Sequence, residues 1–201
     1  MIKVYHAPRT RSVRILWLLE ELGLPYEIEK VAFGPKPKPF GQDTPFGKVP
    51  ALVDGEVCMF ESGAMVEYIL ERYGNGRLAP AVGDPERATY LQWLHFAEST
   101  AFAPMSAVVW LKLYRKDAEQ QAELIKDAIE RAAVAFEFLE ARMGDHDYLL
   151  ASGFSAADIM LGLTLNIAKM FNIIDEEHFP KIAAYHKRLA ARPALVKAQT
   201  L

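Results

Sequence analysis

The feature that most constrains this chain is a change of pattern part-way along it. Every strand-like segment lies before Glu61, and from Asp84 onward only helical patterns occur. Such a sequence builds a mixed α/β unit and then a helical one, each with its own core. The break falls at Asn75–Gly83, a stretch rich in Gly and Pro with the composition of a linker. The 201 residues suffice for two small domains, expected over 1–76 and 84–201.

Ile2–His6 reads as a strand and Val13–Leu22 as a helix, apolar almost all round and hence buried. Gly23 stops the helix, and Pro25 follows. Tyr26–Val31 alternates apolar and charged residues, so it reads as a second strand completing a βαβ unit. Phe33–Lys48, punctuated by Pro35, Pro37, Pro39 and Pro45, reads as a loop. Ala51–Val53 and Val57–Phe60, joined at Asp54-Gly55, read as a hairpin. Ser62 is placed to cap a helix to Tyr73 whose apolar face is Met65, Val66, Ile69, Leu70 and Tyr73.

Beyond the linker, Asp84-Pro85-Glu86 opens a helix that kinks near Pro104 and reaches Tyr114. Helices are expected from Asp117 to Met143, from Ser155 to Phe171 and from Pro180 to Ala191. The third is apolar on nearly every side and therefore central.

Charge and composition exclude several classes of function. Lys plus Arg number 23 and Asp plus Glu 26, with no long basic run, so a dedicated nucleic-acid binder is not expected. No apolar run is long enough for a membrane span. Met1-Ile2-Lys3-Val4-Tyr5 does not resemble a secretory leader, which suggests a cytoplasmic protein. The one cysteine, Cys58, forms no internal disulfide, and its apolar run suggests a buried small hydrophobe.

Four clusters carry chemical potential. In Phe46-Gly47-Lys48-Val49-Pro50-Ala51-Leu52, a proline opens a strand, either as an ordinary trans residue or with the cis bond that only proline makes cheap. Glu61-Ser62 begins a helix, where unpaired N–H groups attract anions; the pair suits the zwitterionic end of an amino acid, or Ser62 is a plain cap. Tyr5-His6-Ala7-Pro8-Arg9-Thr10-Arg11-Ser12 places hydroxyls where a chain enters a helix, either as caps or as donors to a thiolate. Bringing a thiol from a pKa of about 8.5 to about 7 needs roughly 2 kcal/mol, within reach of one charge-assisted hydrogen bond and a helix dipole. Ser155-Ala156-Ala157-Asp158 matches a capping box, whose role is folding rather than chemistry.

The order and spacing of these clusters resemble the cytosolic glutathione transferase family over essentially the whole chain. Ser12 through Glu27 is similar to the first helix and second strand of bacterial members, Phe46–Leu52 to the cis-proline loop, Glu61–Met65 to the γ-glutamyl site. Phe154–Ile159 resembles the folding motif, and Pro180 through Pro193 the last long helix. The resemblance implies a thioredoxin-like βαβ-ββα domain followed by an α-helical bundle. It implies a homodimer, with glutathione as co-substrate, no metal, and attack of the thiolate on a small hydrophobic electrophile in detoxification.

By resemblance, Pro50 is cis, Val49 pairs its backbone with the cysteinyl part, and Glu61 and Ser62 hold the γ-glutamyl end. Lys48, with Arg9, Arg11 or a lysine of the proline-rich loop, would meet the glycyl carboxylate. Phe102, Met105 and Val109 would line the electrophile site. Ala7 stands where several classes carry an activating Ser or Cys, so Thr10 is the expected thiol donor, with Tyr5 and Ser12 as alternatives. A glutathione-dependent peroxidase, reductase or isomerase, or a non-catalytic binding or regulatory protein, would use the same frame.

Overall fold

The computed structural model describes residues 1–32, 47–144 and 146–201. The expected proline-rich loop therefore lies, from Phe33 to Phe46, outside the described residues, as do Lys36 and Lys38. By packing, the chain divides into one unit of Met1–Ala81 with Ala191–Leu201 and another of Val82–Ala190.

The first unit holds β1 (Ile2–His6), α1 (Ser12–Leu22), β2 (Tyr26–Lys30), β3 (Ala51–Asp54), β4 (Val57–Met59) and α2 (Ser62–Tyr73). The sheet order is β2-β1-β3-β4. β1 pairs parallel to β2 across α1, while β3 runs antiparallel to both β1 and β4. This is a thioredoxin-like domain with a mixed sheet. α1 is apolar almost all round for the reason its sequence gives: Val13 through Leu19 are all buried. It ends at Gly23 (φ 65°), a left-handed position that glycine takes without steric cost, with the Gly23 and Leu24 N–H groups returning to Glu20 and Leu19. The β3–β4 turn likewise needs Gly55 at φ 63°.

Three details differ from expectation. Glu61, not Ser62, occupies the cap of α2, at φ 74°; Ser62 is the first helical residue and is buried. β2 stops at Lys30. Cys58 is exposed, because β4 is an edge strand and its middle residue turns outward.

A last helix, α8 (Pro193–Thr200), groups with the first unit, packing on α1. Glu21 accepts from Arg192 at 2.7 and 2.8 Å and from the Trp17 indole at 2.9 Å. Asp54, nearly buried, ties the hairpin to α2 by accepting from the hydroxyls of Tyr68 and Tyr73.

The second unit contains α3 (Arg87–His95), α4 (Ala103–Tyr114), α5 (Ala122–Arg142), α6 (Ala156–Met170) and α7 (Pro180–Ala190). α3 begins after Glu86, because the Asp84 side chain folds over the Glu86 N–H in a turn ahead of the helix. The expected kink near Pro104 is a π-helical segment, Phe96–Phe102, with Pro104 in the first turn of α4. Thr164 donates to the Ala97 carbonyl inside that segment, at 3.0 Å.

α6 is buried from Ala156 to Leu165. Its capping box is closed: Asp158 accepts from the Ser155 N–H at 2.7 Å and from its hydroxyl at 3.0 Å. The other Asp158 oxygen accepts from the Leu149 N–H and the Tyr185 hydroxyl, so the carboxylate ties three segments together.

Candidate functional site

Strand pairing brings together motifs that are distant in sequence. Tyr5, near the end of β1, pairs with Ala51, and Leu52 pairs with Met59. The segment leaving β1, the Val49-Pro50 pair entering β3 and the Glu61-Ser62 pair leaving β4 therefore meet at one end of the sheet. The Val49–Pro50 bond is cis, with Val49 buried and Lys48 exposed.

At the start of α2, Ser62 is held from behind. Arg14 of α1 is fully buried and its Nη1 donates to Ser62 Oγ at 3.0 Å. A guanidinium only donates, so the serine oxygen accepts here and its own proton is left to donate. Beside it lies the N-terminus of α2, whose first N–H groups have no carbonyl within the helix. Such a corner can take an anion. Glu61 is exposed, in a left-handed backbone that a non-glycine residue adopts only under constraint.

At the start of α1 the hydroxyls form a compact network. Thr10 Oγ1 donates to the Ala7 carbonyl at 2.7 Å and lies 2.7 Å from Ser12 Oγ. Ser12 Oγ lies 2.7 Å from His6 Nδ1 and accepts from the Ala7 N–H at 3.4 Å. Thr10 is half-buried, whereas Ser12 and His6 are buried. Burial and then Lys30 hold the imidazole below its ordinary pKa, so it is neutral at pH 7.

Several expected contributors sit differently. Ser12 is turned inward, away from any ligand, because its hydroxyl is the only partner within reach of buried His6 Nδ1 among the described residues. The Ser12 N–H donates to Thr10 Oγ1 at 3.3 Å. The cap of α1 is Arg11, with no side-chain capping bond. Tyr5 stands on the opposite face of β1 from His6, since alternate strand residues diverge. Arg9 is exposed at φ 62°. In the second unit Phe102 and Val109 are partly exposed, but Met105 is fully buried and offers a ligand no surface. Arg14 and His6 were not singled out from sequence. The signal was there for Arg14, a charge inside the otherwise apolar run Val13–Leu19 that has to find a buried partner.

A model of the glutathione S-transferase N-terminal domain matches residues 1–71, and one of the C-terminal domain matches residues 102–193. A disulfide-bond oxidoreductase of Escherichia coli is 33% identical, over 99% of this chain and 96% of its own. The chain belongs to the glutathione S-transferase family. A glutathione S-transferase-like protein of Beauveria bassiana is 31% identical over 98% of this chain and 93% of its own length. Among solved structures, a glutathione transferase from Phanerochaete chrysosporium with oxidized glutathione superposes with a TM-score of 0.86 at 25% identity. That match spans 99% of this chain and 93% of the other. Within the family frame, the two helix N-termini and the cis-proline segment are the parts of this chain that face one sheet end together.

Proposed function

We propose that the chain binds glutathione at this sheet end and conjugates its thiolate to small apolar electrophiles. The carrying observation is the Arg14–Ser62 bond, which leaves the serine proton to donate beside the N-terminus of α2. Ser62 and those N–H groups take the γ-glutamyl carboxylate, and Glu61 takes the ammonium. The Val49 backbone pairs with the cysteinyl portion, and Lys48 with Arg9 and Arg11 meets the glycyl carboxylate. Thr10, half-buried at the entry to α1, donates to the thiolate in place of the side chain that Ala7 lacks.

A second reading has its own support: the 33% identical Escherichia coli relative is named a disulfide-bond oxidoreductase. On the same site, one bound thiolate would attack a disulfide and release a thiol. A second glutathione thiolate would then attack the glutathione sulfur of the mixed disulfide, forming oxidised glutathione and releasing the second thiol. The only cysteine, Cys58, lies on edge strand β4 and is assigned no role.

Steady-state assays decide between the readings. Saturable glutathione-dependent conjugation of an aryl halide supports the first. Reduction of a small disulfide without conjugation supports the second. Glutathione binding without either turnover leaves a binding protein. The same reading includes a homodimer, supported by exposed apolar Trp110, Val134 and Phe138; sedimentation at micromolar concentration is expected to give twice the chain mass.

A further inference from the structure

We infer that His6 is a positioning residue for the thiol, the head of a one-way hydrogen-bond chain that runs through Ser12 and ends at the Thr10 hydroxyl. This rests on the reading of Thr10 as the thiolate donor.

The direction follows from counting protons. Three contacts of 2.7 Å lie in series: His6 Nδ1 to Ser12 Oγ, Ser12 Oγ to Thr10 Oγ1, and Thr10 Oγ1 to the Ala7 carbonyl. The two hydroxyls supply only two protons. The carbonyl cannot donate, so Thr10 donates to it. The Thr10 proton is then committed, so Ser12 donates across the 2.7 Å contact to Thr10, in preference to the same Ala7 carbonyl, which lies farther from it at 3.2 Å. The Ser12 proton is committed in turn, so the remaining proton comes from His6 Nδ1–H.

The rest of the ring agrees. His6 Nε2 is buried with no hydrogen-bond partner among the described residues. A bare lone pair is tolerated there more readily than an orphaned N–H. The neutral form is in keeping with burial of the ring.

The chain leaves Thr10 with one role toward a ligand. Its oxygen accepts from the Ser12 hydroxyl and from the Ser12 N–H at 3.3 Å, which fills both lone pairs. Ser12 Oγ is likewise filled, by His6 Nδ1–H and the Ala7 N–H. Thr10 can therefore only donate, and its proton passes from the Ala7 carbonyl to a thiolate without reversing any bond behind it. Each donor upstream polarises the next, which strengthens the terminal hydrogen bond.

The test uses the full chain saturated with glutathione. Nitrogen NMR of histidine-labelled protein is expected to show His6 protonated on Nδ1 and bare on Nε2; the opposite tautomer overturns the chain. This measurement needs no variant. In His6→Leu the bound thiol pKa is expected to rise by about half a unit and kcat to fall about threefold, with KM for glutathione unchanged. His6→Asn, whose amide N–H stands near the place of Nδ1–H, recovers most of that loss. If His6→Leu leaves the thiol pKa unmoved while Thr10→Ala raises it, the relay is wrong and the Thr10 reading stands. If Thr10→Ala also leaves it unmoved, both fall.

Discussion

At the residue scale, both hydroxyls proposed to meet glutathione are oriented by buried side chains. Arg14 fixes Ser62 as a donor, and His6 through Ser12 does the same for Thr10. Ser62→Ala removes one hydrogen bond to a charged carboxylate, of about 1.5–3 kcal/mol. KM for glutathione is therefore expected to rise about tenfold or more, with kcat little changed, because the lost contact is remote from the sulfur. A matching fall in kcat in steady-state assays would move Ser62 into the transition state. The polar sequence clusters were readable, since Thr10, Glu61 and Ser62 stand beside breaks in apolar pattern. Their orientation was not, because it depends on contacts such as Arg14 to Ser62 that join different helices.

At the element scale, local chemistry wrote most boundaries. Gly23 ended α1 and Asp54-Gly55 marked the hairpin because backbone conformation there selects residue type. The Ser155–Asp158 capping box was legible for the same reason. The π-helical Phe96–Phe102 segment was not, since it answers to Thr164 on α6 rather than to its own residues. Cys58 was misjudged because an apolar run does not reveal which strand is the edge.

The hairpin offers a pH test. Burial pushes Asp54 up, but the Tyr73 and Tyr68 hydroxyls and Arg72 outweigh it and hold the carboxyl below its ordinary pKa. A depressed folded pKa gives stability that is present above the unfolded value of about 3.9 and lost as pH falls through the folded value. Asp54→Asn is therefore expected to lower Tm at pH 6–7, with the gap to wild type narrowing as pH falls below the unfolded carboxyl value. A gap independent of pH, in thermal denaturation across that range, would leave the carboxylate out of the account.

At the scale of the whole molecule, the change of pattern at the linker was the most legible feature. The return of Ala191–Leu201 to the first unit was not, because nothing local to Arg192 names Glu21 as its partner. Glu21→Ala strips a two-pronged arginine pair and the Trp17 indole of their acceptor, so a loss of about 2 kcal/mol in unfolding free energy is expected. Lys197→Ala, which breaks a pair between an exposed lysine and the half-buried Glu20, is expected to cost about 1 kcal/mol or less by the same denaturation measurement. The proposed function requires that this chain bind glutathione and hold its sulfur as a thiolate at the start of α1. Ultraviolet difference titration of the glutathione complex tests it most directly. The bound thiol is expected to titrate about one to one and a half units below the free value of about 8.5; a bound thiol that titrates at the free value would contradict the account.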